Sequence, residues 1–119
     1  MCTVKMINCN RELDEVLGGT GKFIITVGTT HCGMCKVMEG NINKVLSKDD
    51  TYKDWHFYII DGENCEESIL DILHVSNIPT TYIGVGKWVG RGIMNNIYGV
   101  HSESSIREVL DRIDQFQIV

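Results

Sequence analysis

The pattern of apolar and polar positions predicts a chain in which strands alternate with helices. Phe23 to Val27 is a nearly continuous run of apolar and β-branched residues, typical of a strand covered on both faces in a parallel sheet. Trp55 to Ile60 predicts a second strand, and a shorter first strand is expected at Val4 to Ile7. Strands separated by helical segments favour an α/β fold with parallel strands.

The helices are predicted from apolar residues that recur three and four positions apart. The four groups are Leu13, Val16 and Leu17; Val37, Met38, Ile42, Val45 and Leu46; Ile69, Leu70, Ile72 and Leu73; and Ile106, Val109, Leu110, Ile113 and Phe116. Glycines from Gly18 onward end the first helix, and either Ser102 or Ser104 is expected to be the N-cap of the last.

The segment from Thr80 to Tyr98 has no helical period. Pro79 precedes it, and four glycines divide it into short apolar pieces, namely Gly84, Gly86, Gly90 and Gly92. An antiparallel hairpin fits this pattern best. We therefore predict a central mixed sheet of four to five strands flanked by about four helices, in a single domain that spans residues 1–119.

Composition narrows the classes of function. The net charge is -5, from 11 basic and 16 acidic residues, and no cluster of Lys and Arg is present, which argues against nucleic acid as a partner. Met1 to Asn10 contains no long apolar segment, so we expect neither a signal peptide nor a membrane anchor. A cytoplasmic location is the resulting expectation.

The strongest candidate for chemistry is the Cys32-Gly33-Met34-Cys35 motif, which lies between a predicted strand and a predicted helix. The first sulfur of such a pair lies near free backbone N–H groups and the positive end of a helix dipole, where a thiolate is favoured. The three remaining cysteines stand alone, which is a poor match to the disulfide framework of a secreted domain; they are Cys2, Cys9 and Cys65.

Metal binding is the non-redox alternative for the cysteine pair. A structural zinc site needs four ligands, and no second Cys-x-x-Cys or His-x-x-x-His motif would complete one. We therefore expect no metal, although an iron–sulfur cluster shared between two chains stays open. Cys65 is expected to be a small, half-buried residue, and the aromatic residues Tyr82, Trp88 and Tyr98 are expected in the core or at the rim of the site.

Several motifs together resemble the thioredoxin family. His31 to Lys36 lies at the head of the long helix, and Ile78-Pro79-Thr80 opens the hairpin. Asp61 after the third strand and Gly99 before the last helix match as well, and the similarity runs from about Val4 to Ile113. The resemblance implies the thioredoxin fold and a thiol-disulfide oxidoreductase that reduces or exchanges protein disulfides.

The resemblance also implies roles for individual residues. Cys32 attacks a substrate disulfide as a thiolate, and Cys35 resolves the mixed disulfide. The implied rim and substrate groove consist of His31, Gly33, Met34, Ile78, Pro79 and Gly99. In the family the bond before this proline is cis and lies against the disulfide, and Ile78 offers its backbone to substrate. No cofactor beyond the Cys32–Cys35 disulfide is implied, the electron donor is a reductase or glutathione, and the family default is a monomer.

The chain departs from the family at residues expected to tune this chemistry. Thr26 stands where thioredoxins carry a buried aspartate that relays the proton of the resolving thiol, so resolution by Cys35 is expected to be slow and a Thr26→Asp change to accelerate it. His31 replaces a tryptophan, and an imidazolium there would raise the reduction potential above about -270 mV, toward about -200 to -230 mV. Lys36 is a second candidate tuning residue, and Met34 replaces a proline.

Two other functions remain open from the sequence. A glutaredoxin-like, glutathione-linked enzyme would use the same fold, although the motif here is not the Cys-Pro-Tyr-Cys typical of that family. A non-catalytic binding module would use the thioredoxin scaffold to dock a larger partner. Its contact surface would be Gly33, Met34, Ile78, Pro79 and Gly99.

Overall fold

The computed structural model of the chain describes residues 4–19, 21–48, 50–85 and 93–116. The elements within these ranges are β1 (Val4–Met6), α1 (Asn10–Gly18), β2 (Lys22–Gly28), α2 (Gly33–Lys48), β3 (Trp55–Asp61), α3 (Glu67–Ile72), β4 (Thr80–Val85), β5 (Ile93–Tyr98) and α4 (Glu103–Phe116). The predicted α/β fold with a mixed sheet is confirmed. A short 3-10 turn at Asp50–Tyr52 was not predicted. Cys2, Gly86, Trp88, Gly90 and Gly92 lie outside the described residues.

The sheet has the strand order β1-β3-β2-β4-β5. β3 pairs in parallel with β1 and β2, whereas β4 pairs antiparallel with β2 and β5. In this register Gly28 lies beside Asp61, and Thr80 lies between Val27 and Tyr98. The loops that follow β2, β3 and β5, and the loop that precedes β4, therefore meet at one end of the sheet.

Apolar side chains cover both faces of the sheet, because successive residues of a strand point to opposite sides. On β2, Ile24 packs with residues of α2 and α4, whereas Phe23 and Ile25 pack with residues of α1 and α3. Thr26 is buried on the same face as Ile24. Gly28 at the end of β2 also lies on this face, next to Cys35 at the beginning of α2.

The helix α4 has a serine as its N-cap, as the sequence predicted. The backbone N–H of Ser105 donates to Ser102 Oγ at 3.2 Å, and the N–H of Ile106 donates to the Ser102 carbonyl at 3.0 Å. Ser102 is therefore the N-cap, and Ser104 lies inside the helix. Among the helices described, none combines the length and the apolar character needed to cross a membrane.

Candidate active site

Cys32 and Cys35 form a disulfide bond at the beginning of α2, with their Cα atoms 5.2 Å apart. Cys32 is the N-cap of this helix, since its carbonyl accepts the N–H of Lys36 at 3.3 Å. The N–H of Cys35 points at Cys32 Sγ at 3.1 Å. No acidic residue lies in the first turn of α2. When the bond is reduced, the Cys32 sulfur lies where backbone N–H groups and the helix dipole stabilise a thiolate.

The two sulfurs differ in accessibility. Cys32 is half-buried, whereas Cys35 is completely buried. Gly28 at the end of β2 makes this burial possible, because a Cβ at that position would lie 2.8 Å from both Cβ and Sγ of Cys35. Any side chain at position 28 would therefore displace Cys35 or the start of α2. An incoming disulfide can reach only Cys32.

The loop before β4 lies at the same end of the sheet. The Ile78–Pro79 peptide bond is cis, Pro79 is buried and Ile78 is exposed. The Gly99 N–H donates to the Pro79 carbonyl at 2.9 Å, and Gly99 has a φ of +76°, which favours glycine. Thr80 Oγ1 donates to the Asn77 carbonyl within this loop. The structure thus brings together Pro79 and Gly99.

Exposed apolar side chains occur on the elements that meet at this end. They are Met34, Val37, Ile78, Tyr98 and Val100, which we call the apolar rim. His31 is exposed in the turn before Cys32, and Gly33 is exposed as the first residue of α2. A Cβ on Gly33 would meet open space, and its φ lies outside the left-handed region. The turn geometry therefore does not require glycine at position 33.

Thr26 is completely buried and pairs with Thr81 across strands β2 and β4. The two hydroxyl oxygens are 3.0 Å apart and share a hydrogen bond. Because a buried hydroxyl is costly without a partner, the two threonines stabilise each other in the sheet.

A cleft of about 240 Å³ opens between the first turns of α2 and the ends of β2 and β3. Its polar lining includes Thr29, Thr30, Lys36, Glu39 and Asp61. Lys36 is mostly exposed, with its Nζ 3.7 Å from Glu39 Oε1. Hydrogen bonds from the Asn64 side chain and the Glu63 N–H hold the pKa of Asp61 below its ordinary value, and the Thr30 hydroxyl and the Lys36 charge add to this effect.

The two described cysteines outside the pair are half-buried. Cys9 Sγ lies 3.6 Å from Glu12 Oε1 at the start of α1. Burial raises the pKa of Cys65, and the charges of Asp61 and Glu66 act in the same direction. Within the described part of the chain, no three His, Cys, Asp or Glu side chains are grouped so that they could hold a metal ion.

Solved structures of thioredoxins are similar to this structure over almost its whole length. Thioredoxin from Trypanosoma brucei brucei has a TM-score of 0.79 and 18% identity, covering 95% of this chain and 92% of that one. Thioredoxin from Malassezia sympodialis has a TM-score of 0.78 and 20% identity, with coverage of 95% and 92%. Mitochondrial thioredoxin 3 from Saccharomyces cerevisiae has a TM-score of 0.73 and 21% identity, with coverage of 91% and 94%.

The chain has the thioredoxin fold. Neither a protein-family model nor a curated protein matches it.

Two residues that shape the site in this thioredoxin fold were missed by the sequence analysis. Gly28 determines how closely α2 approaches β2, and Glu39 extends a carboxylate over that glycine. A glycine at the end of a buried strand is a signal for close packing. The position of Glu39, four residues after Cys35, is a signal that both side chains share one face of the helix.

Proposed function

We propose that the protein is a dithiol-disulfide oxidoreductase that reduces or exchanges disulfide bonds of other proteins. The observation that carries this proposal is the asymmetry of the Cys32–Cys35 pair. One sulfur is half-exposed at the beginning of a 16-residue helix, and the other is completely buried. Thiol-disulfide exchange requires an accessible thiolate to start the reaction and a second thiol to finish it.

The proposed reaction has two steps. The Cys32 thiolate attacks one sulfur of the substrate disulfide, which breaks that bond and releases the other substrate sulfur as a thiolate that takes up a proton. The Cys35 thiolate then attacks Cys32 Sγ, the protein disulfide forms, and the second substrate sulfur leaves. Two electrons pass from the dithiol to the substrate, and a reductase or glutathione must return them. No cofactor other than the cysteine pair is needed.

The surroundings of Cys32 favour a polypeptide as the substrate. Ile78 is exposed before the buried Pro79, and Gly99 is hydrogen-bonded to the Pro79 carbonyl. Peptides that bind in an extended conformation use backbone hydrogen bonds for affinity and neighbouring pockets for specificity. The apolar rim, with Met34 56% exposed, offers side-chain contacts for such a segment.

The test is reduction of insulin with thioredoxin reductase as the electron donor and, in a separate assay, with glutathione. We expect turnover with one of these donors, and the Cys32→Ser variant should reduce insulin no faster than the donor alone. Cys65→Ser is the matched control and should keep activity within about twofold, since its thiol is half-buried with a raised pKa. Failure with both donors would contradict the proposal.

The apolar rim also favours a second function, a non-catalytic docking module. An exposed group of apolar side chains is typical of a protein interaction site. This function predicts that Cys32→Ser binds the same partners as the unaltered protein and that insulin is not reduced with any donor. Turnover that depends on Cys32 would exclude it.

A further inference from the structure

The resolving thiol needs a proton acceptor, and β2 supplies none. A buried thiol ionises poorly because a thiolate loses its hydration inside the protein. Cys35 is completely buried, and the buried side chain at position 26 is a threonine bound to another threonine. A carboxylate that accepts the proton of Cys35 must therefore come from another helix, strand or loop.

We propose that Glu39 accepts the proton of Cys35 during the resolving step, an inference that rests on the proposed oxidoreductase function. Cys35 Sγ lies 2.8 Å from the point that a Cβ on Gly28 would occupy, and Glu39 Oε2 lies 3.9 Å from the same point. The separation of the two atoms is at most the sum of these distances. One bridging water joins atoms up to about 6 Å apart, and a small rotation of the glutamate brings the two atoms within that distance.

The absence of a side chain at Gly28 opens the space in which this contact forms. Cys35 and Glu39 are one helical turn apart on the face of α2 that meets β2, and both approach the backbone of Gly28. The Glu39 side chain is only 14% exposed. It lies largely out of solvent and extends back along the helix, where Oε1 approaches Lys36 and Oε2 approaches Gly28.

Two charged groups line the same cleft as Glu39. Lys36, on the same helix, lies 3.7 Å from its Oε1. Asp61, at the end of β3, lines the same cleft and carries a second negative charge. The neighbouring residues from the end of β2, Thr29 and Thr30, are uncharged. Glu39 Oε2, the atom nearer to Gly28, remains available while Oε1 is paired with the lysine.

The proposed step needs no reactant other than the mixed disulfide, Cys35, Glu39 and water. In the mixed disulfide, the Cys35 S–H gives its proton to the Glu39 carboxylate, and the resulting thiolate attacks Cys32 Sγ. The Cys32–Cys35 bond forms as the bond from Cys32 to the substrate sulfur breaks. The substrate leaves as a thiolate, which takes up a proton from protonated Glu39 or from water.

The alternative is that Glu39 only forms an ion pair with Lys36. Helix pairs of this kind contribute little to stability and play no part in chemistry. An ion pair within one helix also exists on α4, where Arg112 lies 3.1 Å from Glu108 Oε1 and both side chains are more than half exposed. Glu108→Gln therefore removes an exposed ion pair from a helix whose residues do not line the cleft that Glu39 lines.

The experiment follows both steps of one turnover in the full-length protein. Reduced protein is mixed with the disulfide-linked dimer of a short peptide, the reaction is quenched with acid, and intact mass separates reduced, mixed-disulfide and oxidised protein. In Glu39→Gln we expect attack by Cys32 at an unchanged rate and resolution slowed at least about tenfold at pH 7, so that the mixed disulfide accumulates. The pH profile of resolution should move to higher pH.

Two further variants make the result specific. Glu39→Asp keeps the carboxylate on a shorter side chain and should recover part of the rate; it also serves as the test if Glu39→Gln does not fold. Glu108→Gln should resolve like the unaltered protein. Unchanged resolution in Glu39→Gln, or equal slowing of both steps, would overturn the role of Glu39. If the unaltered protein formed neither a mixed disulfide on Cys32 nor the oxidised Cys32–Cys35 pair, the proposed function would instead be overturned.

Discussion

Two loops leave neighbouring parallel strands at the same end of the sheet, and each carries a cysteine. The first runs from Gly28 at the end of β2 to Cys32 at the start of α2. The second runs from Asp61 at the end of β3 to Cys65 just before α3. The loops are in contact, because the Gly62 N–H donates to the Gly28 carbonyl at 2.7 Å. The two thiols therefore occupy equivalent positions in the fold, each in a loop that joins a parallel strand to the next helix.

Their electrostatic surroundings are opposite. The Cys32 sulfur lies at the beginning of a 16-residue helix and receives a backbone N–H at 3.1 Å. Cys65 precedes a helix of six residues, its pKa is raised by burial, and Asp61 and Glu66 add negative charge nearby. We therefore expect Cys32 to be the more reactive of the two, because its helix end is free of acidic residues and its sulfur is partly accessible.

The largest expected difference is in alkylation rate. A thiol with an ordinary pKa of about 8.5 is only about 3% ionised at pH 7, whereas a thiol at a helix N-terminus can be mostly ionised. We expect reduced Cys32 to react with iodoacetamide at least about tenfold faster than Cys65, as measured by peptide mapping of quenched samples. Equal alkylation rates would show that the different surroundings of the two cysteines do not affect the ionisation of their thiols.

Sequence patterns predicted the strands and helices that flank both loops, because the burial of these elements leaves a local signal in the sequence. Burial of a strand or of a helix face requires apolar residues at fixed spacing, and runs such as Phe23 to Val27 carry that information locally. The Cys-x-x-Cys motif and the Ile-Pro-Thr segment likewise stand in short stretches of sequence. The positions of Cys32, Cys35 and Pro79 in the fold could therefore be predicted.

The surroundings of Cys35 depend on how the elements pack and could not be predicted. That Thr26 pairs with Thr81 follows from the register of β2 and β4, which no local pattern specifies. That Glu39 points toward Gly28 depends on how closely α2 lies on the sheet. Such contacts join residues that are distant in sequence or depend on the docking of a helix, so spacing alone does not reveal them.

Gly28 at the end of β2 and Gly62 just after β3 differ in the space around them. A substitution at Gly28 should therefore disturb the first loop, whereas one at Gly62 should leave the second loop intact. A Cβ on Gly28 would lie 2.8 Å from Cys35, whereas a Cβ on Gly62 would make ordinary contacts, the nearest at 3.5 Å from the Gly28 carbonyl oxygen. Gly28→Ala should lower the free energy of unfolding by about 1–3 kcal/mol, because overpacking forces α2 to shift. It should also slow disulfide exchange.

Gly62→Ala is the matched control and should change the free energy of unfolding by no more than about 0.5 kcal/mol. Urea denaturation of the two variants measures both changes. If Gly28→Ala proved as stable and as active as Gly62→Ala, the close approach of Cys35 to β2 would not matter to the site.

The strands that lead into the loops differ in their buried polar groups. Among the described residues, the buried polar side chains are Thr26, Thr80 and Thr81, all on β2 and β4 and none on β3. Thr26→Val should lower the free energy of unfolding by about 1–3 kcal/mol, since it leaves the Thr81 hydroxyl without its partner. The double change to valine at both positions should recover much of that loss, because it removes both polar groups.

Urea denaturation of the two single variants and of the double variant measures this coupling. Additive losses would show that the hydrogen bond between the two hydroxyls contributes nothing. In either case the rate of alkylation of Cys65 should stay the same, because β3 has no part in the threonine pair.

The smallest expected effect concerns Asp61, which links the two loops. Its carboxylate accepts hydrogen bonds from Asn64 and the Glu63 N–H in the second loop and from Thr30 in the first. These contacts hold its pKa below the ordinary value of 3.8, with the Asn64 bond as the largest cause. The ionised form therefore stabilises the fold above about pH 4, and this contribution is lost as the pH falls through the lowered pKa.

Asp61→Asn should accordingly be less stable than the unaltered protein at pH 7, and the difference should shrink toward pH 3. Because Asp61 is only half-buried, solvent screening keeps the effect small. Urea denaturation at the two pH values measures it. The substitution also removes a charge that raises the pKa of Cys65, so alkylation of Cys65 at pH 7 should become slightly faster while that of Cys32 remains far ahead. A difference in stability that stayed constant from pH 7 to pH 3 would mean that the hydrogen bonds of Asp61 do not depend on its charge.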